Sequence, residues 1–161
     1  MIREATIDDI PAIAAFIRSL AEYERLTHEV ALDVDQLAAH LFGDRRYAEV
    51  LIAEDAGEVV GFALYFHNFS TFLGQPGIYL EDLFVIPERR GRGYGKALLA
   101  ELARIAVERG CGRLEWAVLD WNEPSIAFYR SLGAHAMDDW TTYRLSGEEL
   151  AALATPSRAT P

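Results

Sequence analysis

One cysteine, four scattered histidines and no long apolar run set the first limits on this chain of 161 residues. A lone Cys111 cannot close an internal disulfide, so no covalent staple is expected to hold the fold. It follows the helix-ending Gly110 with no histidine nearby in sequence, and reads as a small buried hydrophobe rather than an acyl carrier. His28, His40, His67 and His135 share no metal-ligand spacing with it or with one another, and no metal is expected. No segment reaches the ~20 apolar residues that a spanning helix requires, so no membrane association is expected. The N-terminal residues lack a signal-peptide pattern, which makes a cytoplasmic location the expectation. An excess of positive charge is missing as well: a formal charge of −10 disfavours nucleic acid or an anionic membrane and favours cationic ligands.

A hydrophobic content of 51% suits one domain with a sizeable core, expected over residues 1–154, with a frayed tail at 155–161. Ile2–Ala5 reads as a strand. Thr6 opens a Thr-x-x-Asp cap, after which Ile10, Ile13, Ala14, Ile17, Leu20 and Ala21 follow at helical spacing. Asp33 and Gln36 cap a second helix that stops at Gly43. Tyr47–Glu54 and Val59–His67 form a hairpin around Asp55-Ala56-Gly57, and Ile78–Val85 is the next strand. A helix from Gly93 to about Arg109, a strand over Arg113–Leu119 and a short helix over Glu123–Leu132 follow. Thr141–Leu145 reads as a final strand, and Ser146-Gly147-Glu148-Glu149 as a capping box for a last helical turn. Strands interleaved with helices make the fold α/β, with a mixed sheet because the hairpin is antiparallel.

The densest chemistry lies between Leu80 and Lys96. A hydrophobic strand carrying Glu81 and Asp82 runs into Arg89-Arg90-Gly91-Arg92-Gly93-Tyr94-Gly95-Lys96, and that turn opens a long apolar helix. N–H groups at a helix start lack intrahelical partners, and the helix dipole makes that end positive. The glycines let a phosphate approach the backbone, while Arg90, Arg92 and Lys96 add charge-assisted hydrogen bonds. The order Arg90-x-x-Gly93-x-Gly95 is neither a dinucleotide fingerprint nor a P-loop. Further on, Asn122 precedes a helix with Pro124 in its first turn, the position of a cap; Phe128 reads as core, and Tyr129 is open between packing and catalysis.

Three segments carry a family resemblance: Tyr79-Leu-Glu-Asp-Leu-Phe-Val85, Arg90-Gly-Arg-Gly-Tyr-Gly95 and Trp121-Asn-Glu-Pro-Ser-Ile-Ala-Phe-Tyr129. Together they resemble the GNAT acetyltransferases, and within them the diamine (spermidine/spermine) N-acetyltransferases and the thialysine-acetylating enzymes. The similarity extends more weakly to Ala21-Glu22-Tyr23-Glu24. It implies a splayed sheet flanked by helices, the acyl-CoA N-acyltransferase fold, with acetyl-CoA as co-substrate. By the same resemblance, main-chain groups of Leu83, Phe84 and Val85 meet pantetheine. Arg90, Gly91, Arg92, Gly93, Tyr94, Gly95 and Lys96 hold the pyrophosphate, and Asn122 touches the cofactor. Tyr129 becomes the acid for the departing thiolate and Glu81 the base, through water; Tyr23, Glu24, Glu81 and Asp82 contact a small cationic amine. A homodimer is also implied.

Chemistry asks for such a base independently, because an alkylamine with a pKa of ~10.4 arrives as a non-nucleophilic ammonium. An ionised Glu81 in this apolar strand is costly unless it lines a wet cleft or is paired. Burial would raise its pKa and make it a better base; the other reading is a solvent-facing residue on an exposed sheet face. Asp82 alternates to the opposite face unless the strand is bulged. Where the polyamine enzymes resemble Tyr-Asp-Pro-Trp, this chain has Phe69-Ser70-Thr71-Phe72, and Tyr143 replaces their Trp. Loss of one acid suggests, within the diamine/polyamine or lysine-like class, a shorter diamine, a lysine-like amino acid or another small amine, acetylated by direct attack in a ternary complex. Two other classes are weighed beside it: a protein or peptide N-acetyltransferase, and a non-catalytic acyl-CoA-binding regulator.

Overall fold

The computed structural model describes residues 1–155, so residues 156–161 of the expected frayed tail lie outside the described part. The chain divides into two compact units, one running from Met1 to Leu119 and the other beginning at Asp120. Among the described residues no helix is long and apolar enough to cross a membrane.

The first unit is built on a five-stranded sheet in the order β1-β2-β3-β4-β5. Its strands are β1 (Ile2–Glu4), β2 (Glu49–Asp55), β3 (Glu58–Ser70), β4 (Gln75–Val85) and β5 (Leu114–Trp116). The first four pair antiparallel with their neighbours and β5 runs parallel to β4, which is the mixed sheet expected. Three helices complete the unit: α1 (Ile10–Tyr23), α2 (Val34–Phe42) and α3 (Tyr94–Glu108).

Local chemistry explains where these helices begin. The Thr6 N–H donates to the Asp9 carboxylate at 2.7 Å, capping a short 3-10 turn that leads into α1. Arg3 then grips Asp9 with two hydrogen bonds of 2.8 Å, fixing the entry of α1 to β1 and holding the Asp9 pKa low. Asp33 accepts from the Gln36 N–H at 3.0 Å and starts α2, which stops at Gly43.

The apolar face of α1 lies on one side of the sheet, where Phe16 packs against Phe62 at 5.7 Å and Phe84 at 5.6 Å between ring centroids. Ile10, Ile13, Leu41, Val50 and Ile52 complete that core cluster. Burial of each large apolar side chain contributes about 1.5–3 kcal/mol, so this layer fixes α1 against β4. The opposite face presents Leu51, Ala63, Tyr65, Ile78 and Leu80, all buried. There α3 buries Leu98, Leu99, Leu102 and Ile105, and Arg109 just beyond it reaches over the Tyr65 ring.

Gly61 faces Val85 across the β3–β4 ladder, and a Cβ there would sit 2.6 Å from the Phe84 carbonyl oxygen. Gly61→Ala is therefore expected to push β4 aside at the end of the strand, destabilising the fold by about 1–3 kcal/mol. A denaturant titration of the variant beside wild type measures this.

The second unit contains α4 (Glu123–Ser131) and α5 (Gly147–Ala154). The expected final strand over Thr141–Leu145 does not form, and both Tyr143 and Leu145 are exposed. Its alternating residues have strand propensity, but propensity supplies neither a ladder partner nor a face to bury. The last helix does form, although the Ser146 side chain makes no capping hydrogen bond to it. The strand expected over Arg113–Leu119 contracts to Leu114–Trp116, because β5 pairs with β4 only as far as Leu80.

Candidate active site

Glu81 stands at the point where the sheet loses its regular register. Leu64 faces Asp82 while Tyr65 faces Leu80, which leaves Glu81 as an extra residue of β4. The bulge ends the strict alternation that would have sent the two acids to opposite faces. Asp82 and Phe84 share the face of Leu64 and Phe62, the side covered by α1. Beyond Leu80 the β4 strand has no β5 partner, so the ladder ends there and Leu83, Phe84 and Val85 pair with β3 alone, the Val85 carbonyl accepting from Arg90 Nε. The end of that ladder lies where the resemblance implied a splay.

Of the positions the sequence left open for Glu81, the structure takes the solvent-facing one. Glu81 is exposed and Asp82 is the half-buried acid. The bulge turns the extra residue outward, so desolvation acts on its neighbour instead. The Asp82 carboxyl is pushed up to about 6 by burial first, then by the negative charges of Glu81 and Glu24. Glu24 itself is raised by burial. Three carboxylates from two elements thus act on one region of the unit, an arrangement suited to an ammonium group.

A strained turn holds Glu24 there. At the end of α1, Leu26 N–H bonds to Ala21 at 2.8 Å and Arg25 N–H to Glu22 at 3.1 Å, the pattern of a Schellman cap. Arg25 takes φ +61°, the left-handed conformation usually left to glycine, directly after the Tyr23-Glu24 pair. The Arg90 guanidinium lies 5.1 Å from the Tyr23 ring centroid and 5.4 Å from that of Phe84, and its Nε donates to the Val85 carbonyl at 2.9 Å. Arg90 therefore joins the glycine loop to both the α1 terminus and the end of β4. Neither contact was legible from the Arg-Gly motif.

The loop itself suits a diphosphate. Gly91 and Gly93 adopt φ +75° and +88°, and the space around each is open for at least 4 Å where a Cβ would stand. Gly93 caps α3, whose first turn carries no acidic residue, so its free N–H groups have no carboxylate of their own in that turn. Arg92 and Lys96 are exposed beside it. Tyr94 and Gly95 open the helix and are half-buried.

In the second unit the Asn122 side chain accepts from the Ser125 N–H at 3.4 Å and caps α4, with Pro124 in the first turn. Asn122 is buried. Phe128, read from sequence as core, is half-buried and lies 5.5 Å from the Tyr129 ring. Tyr129 is half-buried as well, and its carbonyl is taken up by the Leu132 and Ala134 N–H groups that close the helix.

The half-burial of Asp82 has a thermodynamic consequence. Its folded-state pKa lies above the ordinary 3.8, so the native state binds that proton more tightly than the unfolded chain does. Its contribution to stability is intact below about pH 4 and is lost as pH rises through about 6. Asp82→Asn is accordingly expected to raise Tm at pH 8 by about 3–6 °C and to give no such gain below pH 4. Thermal melts of both proteins at the two pH values check it.

A bulged acidic strand runs here into a glycine loop at a helix start, on a sheet whose β4–β5 pairing stops before the bulge. The chain belongs to the Acetyltransferase (GNAT) family, whose sequence model matches residues 12–134. Members of that family use acetyl-CoA. The thialysine N-epsilon-acetyltransferase of Bos taurus is 40% identical, over 96% of this chain and 96% of its own length. The L-ornithine N5-acetyltransferase of Arabidopsis thaliana is 32% identical over 94% and 86% of the two chains. Among solved structures, an integron cassette protein of V. cholerae superposes with a TM-score of 0.80 at 30% identity, covering 97% of this chain and 98% of the other. A ribosomal-protein-alanine N-acetyltransferase from Brucella melitensis gives 0.72 at 27% identity, covering 91% and 99%.

Proposed function

We propose that this enzyme transfers the acetyl group of acetyl-CoA directly to the side-chain amine of a small cationic substrate, a lysine-like amino acid or short diamine, within a ternary complex. The observation that carries this reading is the bulge at Glu81, which sets an exposed carboxylate beside the half-buried Asp82 at the head of the glycine loop. Bound acetyl-CoA would supply an activated thioester. Leu83, Phe84 and Val85 offer main-chain groups to its pantetheine arm, and Arg90 to Lys96 hold its diphosphate through backbone N–H groups and charge. Asn122 adds a polar contact to the same ligand, in keeping with the family resemblance.

Glu24 and Asp82 favour a positively charged substrate, and Tyr23 gives its alkyl part an aromatic surface. Glu81 accepts the ammonium proton through water, which frees the nitrogen lone pair. Tyr129 holds a proton for the departing thiolate. The names of the thialysine and ornithine enzymes support an amine at the end of a short chain. The Phe69–Phe72 segment, where the polyamine enzymes carry an acid, supports the shorter substrate too. A homodimer forms part of the proposal through the resemblance alone.

The experiment is a panel of acceptors at fixed acetyl-CoA: thialysine, lysine, ornithine, putrescine, spermidine and a lysine peptide. The short acceptors are expected to exceed spermidine and the peptide in kcat/KM. A preference for the peptide would move the assignment to protein acetylation, the activity named for the Brucella neighbour. Turnover of none, with acetyl-CoA still bound, would make the chain a binding regulator.

A further inference from the structure

Asp55, at the turn of the β2–β3 hairpin, lies against the glycine loop. The Arg89 Nε lies 3.2 Å from its carboxylate and the Arg92 Nη1 4.0 Å, and the Tyr94 hydroxyl pKa is raised by desolvation first and then by Asp55. These three residues mark the entry of the loop, its middle and the first position of α3. Between them stand Gly91 and Gly93, whose backbone freedom leaves the loop no conformation of its own. Such a segment needs anchors from outside: Arg90 is held by the Val85 carbonyl, and Asp55 lies against both Arg89 and Arg92.

The hairpin is shaped to present that carboxylate. Asp55 pairs with Glu58 across a two-residue turn in which Ala56 and Gly57 both take positive φ, +52° and +85°. This is the tight geometry of a type I′ turn, and Ala56 occupies it at a steric cost. A register shift just before it, between Ala53 and Glu54, redirects the strand end. The Ile86 N–H bonds to the Val60 carbonyl at 2.9 Å, tying the exit of β4 to the same hairpin.

We propose that Asp55 is a positioning residue for cofactor binding: it holds Arg89, Arg92 and Tyr94 so that the loop is already shaped for a diphosphate. The inference rests on the acyl-CoA reading above. It also makes a prediction of unusual sign. Removing a negative charge beside an anion site strengthens anion binding if charge alone acts. Removing an anchor weakens it.

Asp55→Asn keeps the size of the side chain and discards the charge. Its acetyl-CoA Kd is expected to rise about 10-fold, the loss of roughly one charged hydrogen bond. Its kcat/KM with S-acetylpantetheine, which lacks the diphosphate, should match wild type. Glu58→Gln, at an exposed side chain that meets Arg89 but neither Arg92 nor Tyr94 among the described residues, should leave both quantities unchanged. Should Asp55→Asn be too unstable to purify, Ala56→Gly with Asp55→Asn relieves the turn and carries the same comparison against Ala56→Gly alone. Equal or tighter acetyl-CoA binding by the Asn variant overturns the proposal. So does an equal loss on S-acetylpantetheine, which would mark general damage. If wild type fails to bind acetyl-CoA, the functional reading falls and this inference with it.

Discussion

Tyr129→Phe is expected to lower kcat by about 10²-fold while leaving acetyl-CoA affinity and the amine KM close to wild type. The substitution removes one oxygen and keeps the ring, so the 5.5 Å contact with Phe128 survives and α4 retains its Asn122 cap. In the proposed mechanism what disappears is the proton donor. A thiolate leaving without a proton carries its full charge away, and only the breakdown step feels that difference. A loss of kcat with unchanged binding is the signature of an interaction made in the transition state. Steady-state kinetics with both substrates varied, together with calorimetric binding of acetyl-CoA, separates the terms. A variant that loses affinity instead would make Tyr129 a binding residue.

The second large effect concerns Glu81. Near neutral pH an alkylamine with a pKa of ~10.4 is free base in only about one molecule in several thousand. Glu81→Gln is expected to reduce kcat/KM by about 10²-fold at pH 7, with the deficit shrinking as pH approaches the amine's own pKa. In the proposed mechanism Glu81 takes the proton because it is the carboxylate exposed to water, although burial pushes Asp82 up to about 6, nearer the working pH of a general base. A pH–rate profile decides between roles: a constant deficit at every pH would assign Glu81 to substrate binding or structure.

The contrast between these two acids shows what a sequence can carry. Local features were legible: the Asp33 cap on Gln36, the hairpin around Ala56-Gly57 and the glycine loop at the start of α3 all depend on residues within a few positions. The bulge was not. Whether Glu81 and Asp82 share a region depends on how β4 registers against Leu64 and Tyr65, which strand periodicity alone leaves open. Sequence therefore left Glu81 open between burial and a solvent-facing position, and the structure exposes it and half-buries Asp82. Arg90 against Tyr23 is the same kind of case, a contact between residues far apart in the chain. Asp55 was read as a turn residue and nothing more; the signal available was an acid at a hairpin tip, which fits most hairpins equally well. Thr141–Leu145 fails in the other direction, with a strand-like pattern that no pairing uses.

The central claim is that a free small amine is the acceptor and acetyl-CoA the donor. The most direct test is to incubate the enzyme with isotopically labelled acetyl-CoA and thialysine or ornithine, and to follow CoA release and the mass of the amine together. The account predicts one labelled acetyl group on the side-chain nitrogen for each CoA released. CoA release without acetylated amine, or acetyl-CoA binding with no release at all, would contradict it.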